Sequence, residues 1–303
     1  MALRHSAIDP VSALGENELV RLLTKGLPQS DRTLHGPGDD CAVIDPGRGP
    51  LLLFKTDCVI SGIHFTAETD AALAGRKALN RLVSDMASMG GIPREALITL
   101  ALPRTTSVQW LQRLYYGISK AAKACRCGIA GGETSSLPDA CPVVISVAMT
   151  GEVPRRRLVL RSGSSPGDLV AVTGRLGGSI RGHHLKFTPR IAESHWLVQH
   201  ARPTAMIDLS DGLAKDLPRL ADASGTGYEI DLSSLPCSPG CTAAQAAGDG
   251  EDYELLFTLP PRRAVSALKA WRRAFPRVPL TVIGIMLQNK SQRTPLHGGW
   301  AHF

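Results

Sequence analysis

Apolar positions recur along the chain with two periods. Over residues 71–89, Ala74, Ala78, Leu82, Val83, Met86 and Met89 share one stripe of a 3.6-residue repeat, and Gly90-Gly91 followed by Pro93 ends it, which predicts a helix. The same spacing through Trp110, Leu111, Leu114 and Ile118 predicts a second helix over 107–125. Around these lie runs of branched residues at 51–56, 96–102 and 143–150, each bounded by Gly, Pro or Asp, as strands are.

A turn-forming stretch, Ser162-Gly163-Ser164-Ser165-Pro166-Gly167, follows Arg-rich sequence and marks a boundary in the region 154–167. Beyond it, strands are predicted at 169–173, 206–209, 228–232, 253–259 and 280–285, with helices at 213–223 and 262–275. Strand and helix alternate in both halves, so the expectation is an α/β (α+β type) protein of two domains, 1–153 and 154–303. A chain of 303 residues is long enough for each half to bury a core.

Composition narrows the class without changing this picture. Apolar residues are 43% and charged residues 20%, the balance of a folded globular protein. The net charge of +7 sits in clusters, Arg155, Arg156, Arg157 and Arg262, Arg263, Arg272, Arg273, with no interleaved aromatics; solvated faces are expected, and no nucleic-acid partner. No apolar run approaches the ~18 residues of a membrane span, and Met1 to Pro10 carries His5 and Asp9 where a leader would be apolar, so a cytoplasmic chain with no membrane partner is expected. The seven cysteines are irregularly spaced and expected to be reduced; Cys125, Cys127, Cys141, Cys237 and Cys241 do not form a zinc ribbon.

The chemistry shows in the acids. Asp39 and Asp40 stand side by side after Gly36-Pro37-Gly38, where like charges repel unless a cation lies between them. Thr56-Asp57 is expected at the end of an apolar strand, and Asp85 falls on or beside the buried stripe, where an unpaired carboxylate costs several kcal/mol. Glu133, in Gly131-Gly132-Glu133-Thr134, and Asp208 and Asp211, in Asp208-Leu209-Ser210-Asp211-Gly212, are read as further acids in glycine-permitted turns beside strands. The pattern implies an acidic cavity in a basic protein. Oxygen donors without a His or Cys cluster favour Mg²⁺ or Ca²⁺, and several Mg²⁺ ions would suit a polyphosphate ligand. The G-x-x-x-x-G-K-[ST] and protein-kinase signatures are absent, so the phosphate site is of another kind.

Taken in order, Gly36-Pro37-Gly38-Asp39-Asp40, Thr56-Asp57, Gly62-Ile63-His64-Phe65, Ser84-Asp85-Met86-Ala87-Ser88-Met89-Gly90, Asp208-Leu209-Ser210-Asp211-Gly212 and Gly250-Glu251-Asp252-Tyr253-Glu254-Leu255 resemble the thiamine-monophosphate kinases, in the superfamily of aminoimidazole ribonucleotide synthetase. The resemblance implies an N-terminal mixed-sheet domain that dimerises and a C-terminal α/β domain that completes an ATP and substrate cleft. It implies Mg²⁺ ions at Asp40, Thr56, Asp57, Asp85, Glu133, Asp208 and Asp211, and a response to K⁺. By the same carry-over ATP would meet Tyr115, Gly132, Glu133, Arg161 and Ser210, and thiamine monophosphate would meet His64, Glu251 and Trp300. An aromatic face and a carboxylate suit a cationic thiazolium and an aminopyrimidine. The acceptor is already an anionic phosphate oxygen, so direct in-line transfer with neither a protein nucleophile nor a general base is expected.

Three departures from the family pattern stand out. Glu133 replaces the usual Asp, Lys55 replaces a small or hydroxyl residue before Thr56-Asp57, and the segments 178–203 and beyond 285 are short. Another ATP-dependent synthetase of the same superfamily and a catalytically degenerate nucleotide-binding protein are the alternatives at this point.

Overall fold

The computed structural model describes residues 11–301; Met1 to Pro10, on which the reading of the N-terminus rests, and His302 and Phe303 lie outside the described residues. After α1 (Glu16–Thr24), the first sheet is built from β1 (Thr33–His35), β2 (Ala42–Ile44), β3 (Leu51–Ile60), β4 (Ile92–Pro103), β5 (Gly128–Leu137) and β6 (Val144–Val153), in the order β1-β2-β3-β6-β4-β5. Only the β4–β5 pair is parallel, because α3 (Val108–Cys125) crosses between them. The helices start where side chains can accept the first free N–H groups: Asp70 caps α2 (Ala71–Ser88) and Ser107 caps α3. The two helices cross at backbone distance, since a Cβ on Gly117 would stand 1.9 Å from the Ala72 carbonyl oxygen.

One face of this sheet packs on the two helices, burying Leu53, Ile98, Ile145 and Val147 against Leu79, Leu82, Leu114 and Ile118. Among the described residues nothing covers the opposite face, which exposes Phe54 and Leu97, and β5 is exposed along nearly its whole length.

The second sheet has the order β8-β10-β7-β11-β9, all pairs antiparallel, formed by β7 (Leu169–Thr173), β8 (Ala205–Asp208), β9 (Gly227–Ile230), β10 (Leu255–Leu259) and β11 (Leu280–Leu287). It is covered on both faces. Leu213, Leu217 and Leu220 of α6 (Leu213–Ser224) and Ala246 and Ala247 of α7 (Ala243–Gly248) pack on one side, and Trp271 of α8 (Pro261–Ala274) packs on the other. Double coverage explains why β8 and β10 are buried at every position instead of alternating.

The halves meet through α2. Arg76 donates to the carbonyls of Lys186, in the short α4 (His183–Lys186), and Phe187; the Ser194 hydroxyl of α5 (Ile191–Trp196) donates to the Ala87 carbonyl. Contact on two sides buries α2 well beyond the stripe its periodicity predicts, Lys77, Asn80, Ser84, Asp85 and Ser88 included. Among the described residues no helix is long and apolar enough to cross a membrane.

Several local expectations need correction. The strand predicted at 51–56 continues to Ile60 because β6 pairs with it throughout, so Thr56 and Asp57 lie within the strand rather than at its end. Residues 131–134 are not a turn: they pair with β4, and Gly132 allows the approach, since a Cβ there would stand 1.8 Å from the Ile98 carbonyl oxygen. Tyr253 precedes its strand, which begins at Leu255.

Candidate functional site

Three acids from distant parts of the chain converge where the halves meet. Asp40 comes from the loop before β2, Asp85 from α2 and Asp208 from the end of β8; each offers a carboxylate oxygen within 4.8 Å of the others, and all three are buried. α2 also orients the group, with Ser84 Oγ donating to Asp208 at 2.6 Å and Ser88 Oγ donating to Asp40. Burial pushes the Asp208 carboxyl up to about 7, with the Asp40 charge adding to the shift, and burial likewise drives Asp85 well above the usual carboxylate range. Such a group demands cations. Lys55 Nζ supplies one at 2.9 Å from Asp85, and the Arg161 guanidinium supplies another at 2.5 Å from Asp40.

The donor set fits a hard divalent ion: buried carboxylate oxygens, two of them positioned by serine hydroxyls, with no competing thiolate or imidazole in the cluster. Asp57, Thr56 and Asp211 line the same cleft of about 710 Å³ further out. Asp57 is 3.0 Å from the Arg81 guanidinium and Asp211 is 2.5 Å from that of Arg219, while the Thr56 hydroxyl donates to the Val147 carbonyl. Ser210 and Arg161 share this lining.

A second cavity of about 330 Å³ opens beside the first and is lined by His64, Glu251 and Trp300, with Ile63 and Ile180 giving it an apolar wall. The loop that turns Glu251 into it is strained: Gly250, Glu251 and Tyr253 have φ of 62°, 56° and 51°, the left-handed region that non-glycine residues enter only when their surroundings enforce it. The enforcing contacts are visible. Asp252 accepts the Gly177 N–H, shared between its two oxygens, and the Ser179 hydroxyl, Glu254 accepts from Thr173 Oγ1 at 2.7 Å and from Arg190, and the Tyr253 ring stacks on Phe187 with centroids 3.8 Å apart. The neighbours of Glu251 in the motif therefore hold the loop, and Glu251 itself faces the cavity. Its partner is Lys77, fully buried, whose Nζ lies 2.7 Å from Glu251 Oε2 and also donates to the His64 carbonyl. His64 Nδ1 accepts the Ile60 N–H at 3.1 Å, which leaves the ring proton on Nε2; burial lowers the ring's pKa to about 4, so it is neutral near pH 7. The Trp300 backbone N–H donates to the Asp211 carbonyl at 2.9 Å, tying that residue to the shared wall.

The remaining sequence candidates lie elsewhere. Tyr115 is exposed on α3, Gly132 and Glu133 are exposed on β5, and Glu133 accepts the Ser135 hydroxyl at 2.7 Å; none of the three lines either cavity of the single chain. Conversely, Lys77, Arg81 and Arg219 escaped the sequence reading, as did the pairing of Lys55 with Asp85. A signal for two of them was present: Lys77, Arg81 and Asp85 are spaced i, i+4, i+8 on a helix whose acid had already been singled out.

Comparison with known proteins bears on the chain as a whole. Residues 38–153 match the model of the AIR synthase related protein N-terminal domain, and residues 171–294 match that of the corresponding C-terminal domain. The chain is 38% identical over 259 residues to a thiamine-monophosphate kinase of Rhodopirellula baltica, covering 80% of each, and 34% identical over 278 residues to that of Aquifex aeolicus, covering 82% of this chain and 87% of the relative. Among solved structures it resembles AaThiL complexed with AMPPCP and TMP, with a TM-score of 0.79, 31% identity and coverage of 98% of this chain and 100% of that one. Hydrogenase maturation protein HypE shares the fold at a TM-score of 0.66 and 22% identity, over 90% of this chain and 96% of that one. The chain belongs to the thiamine-monophosphate kinase family.

Proposed function

We propose that this protein transfers the γ-phosphoryl group of ATP to thiamine monophosphate, forming thiamine diphosphate. The carrying observation is the buried triad of Asp40, Asp85 and Asp208 beside a second, partly apolar cavity that holds Glu251, His64 and Trp300. The similarity to a structure described with an ATP analogue and TMP supports the same pair of substrates.

In this reading Asp40, Asp85 and Asp208 hold Mg²⁺, with Asp57, Thr56 and Asp211 placed to take further ions. The bound ions would neutralise phosphate charge and align the two phosphates. Arg161 and Ser210 face the nucleotide. Trp300 and Glu251 take the thiazolium and aminopyrimidine, and His64, neutral with its proton on Nε2, is a donor for a phosphate oxygen or a ring nitrogen. The acceptor oxygen is anionic near neutral pH, so the chain need supply no base and no nucleophile, and its contribution is orientation and exclusion of water.

Gly132, Glu133 and Tyr115 enter the reading through a homodimer. In this reading the sheet face with Phe54 and Leu97 and the exposed β5 form the surface between two copies, which would place these residues in an assembly rather than in one chain. The units 1–153 and 154–303 act as the two walls of the cleft, in the cytoplasm, with K⁺ as a candidate accessory ion. The test is an assay of purified protein with ATP, Mg²⁺ and thiamine monophosphate that watches for thiamine diphosphate, with thiamine as control acceptor. Light scattering of the same sample reads the oligomeric state. Absence of thiamine diphosphate despite Mg-ATP binding would remove the kinase reading in favour of a nucleotide-binding relic.

A further inference from the structure

α2 presents three charged side chains one turn apart, Lys77, Arg81 and Asp85, on a single face. A four-residue step rises about 6 Å along a helix, so the row passes from the buried Lys77 behind the smaller cavity to Asp85 in the lining of the larger one. Lys77 at one end holds Glu251, and Asp85 at the other belongs to the carboxylate triad. Arg81 stands between them. It lines both cavities, and of the four residues that do so, Arg81, Ser210, Asp211 and Tyr253, it is the only cation.

Its hydrogen bonding is incomplete in a way that an ordinary ion pair would not leave it. The side chain is 13% exposed, and its Nε lies 3.0 Å from Asp57 Oδ2 without the alignment of a hydrogen bond, so that buried N–H has no acceptor. Nη1 donates to the Cys58 carbonyl at 3.2 Å, the one hydrogen bond of this guanidinium among the described residues. A guanidinium carries five N–H donors in a planar fork that matches phosphate oxygens, and it stays charged when buried. A fixed cation with donors to spare, at the junction of a cavity suited to an organic cation and a cleft suited to a metal-bound triphosphate, is placed where an acceptor phosphate would lie.

We infer that Arg81 grips the phosphate of the acceptor, between the ring-binding cavity and the carboxylate triad, and so selects a phosphate monoester over the corresponding alcohol. The inference rests on the kinase reading above. A structural role as counter-ion to Asp57 alone makes a different prediction, because it gives Arg81 no reason to distinguish the two ligands.

The experiment measures binding of thiamine monophosphate and of thiamine, without nucleotide, to the wild type, R81K and R81Q. Replacing Arg81 by Gln should weaken thiamine monophosphate by about 10- to 100-fold, the usual worth of hydrogen bonds to a charged group. Thiamine affinity should stay as it was, so the preference for the phosphate ester collapses, and R81K should recover part of it. In turnover, the KM for thiamine monophosphate should rise more than kcat falls. Thermal melting checks the fold; should R81Q be unstable, the double variant R81Q/D57N removes both charges and its ratio of the two affinities decides. An unchanged ratio in a folded variant, with the wild type active, overturns the role of Arg81 alone. A wild type that forms no thiamine diphosphate overturns the kinase reading, and this inference with it.

Discussion

Replacing Asp85 by Asn separates the metal reading from a purely structural one, because the two predict different effects on the metal-free protein. The charges nearest Asp85 are two like ones, those of Asp40 and Asp208, within 4.8 Å and one opposite one, Lys55, at 2.9 Å, with Asp57 and Arg81 of opposite effect further out. With an effective dielectric constant of about 20, each repulsion at that separation is worth about 3.5 kcal/mol and the attraction about 6 kcal/mol. Removing the charge thus forfeits about 6 kcal/mol and relieves about 7 kcal/mol, besides the cost of burying a carboxylate that burial already holds well above its usual range. Lys55 does not become an orphan, since Asp57 and Asp40 also favour its charge. The two sums cancel to within their own size, so the metal-free D85N protein should be about as stable as the wild type. A mere salt-bridge partner would instead cost about 3–5 kcal/mol when removed. The Mg²⁺-induced rise in melting temperature should shrink, and turnover should fall by about 10²- to 10³-fold, the several kcal/mol a metal supplies. Denaturant unfolding without metal, melting curves over a Mg²⁺ titration and product formation read these quantities. A variant destabilised by several kcal/mol that keeps the full Mg²⁺ shift and normal turnover would refute the reasoning.

Three further outcomes are expected. Lys77→Met keeps the volume of a fully buried side chain but leaves Glu251 unpaired, so stability should fall by about 1–3 kcal/mol, and K77M/E251Q should recover most of it, as a double-mutant cycle on denaturant midpoints would report. Burial raises the Asp252 carboxyl to about 7, so the folded protein holds a proton that the unfolded chain loses near pH 4; this group makes stability decline as pH rises from about 4 to 7, by at most about 1.4 kcal/mol per pH unit, and Asp252→Asn should flatten that slope in melting temperature against pH. Gly117→Ala should cost about 1–3 kcal/mol or more, because its Cβ would stand 1.9 Å from the Ala72 carbonyl oxygen and force α2 and α3 apart; an unchanged melting temperature would show that the crossing yields easily.

Much of the fold was legible because it is written in local periodicity. The stripe through Ala74, Leu82 and Met86, the branched runs of β3, β4 and β6, and the Gly-Gly stop after α2 each act within a few residues, and the corresponding elements form within a few residues of their expected bounds. What escaped was set by pairing at long range. β5, rich in Gly and Ser, reads as a turn because its strand character comes from the β4 backbone rather than from its own side chains, and β3 runs four residues past Thr56 because β6 lies alongside it.

The same division holds for the candidate site. The sequence by itself singled out acids that adjoin apolar runs or glycine turns, Asp40, Asp85 and Asp208 together with Asp57, Asp211 and the exposed Glu133, because an unpaired carboxylate is costly beside apolar sequence, and the order of the motifs pointed to the family. Only the tertiary structure decided which acids meet. It brings Asp40, Asp85 and Asp208 within 4.8 Å, turns Glu251 to a neighbouring cavity by way of Asp252 and Glu254, and leaves Glu133 on an exposed edge. It alone revealed that Lys55, Arg81 and Arg161 answer Asp85, Asp57 and Asp40, and that Arg219 answers Asp211 together with Asp216 and Glu16. The physical reason is that burial and charge pairing depend on distance in space, and residues 40, 85 and 208 become neighbours only when α2 is enclosed between both halves of the chain.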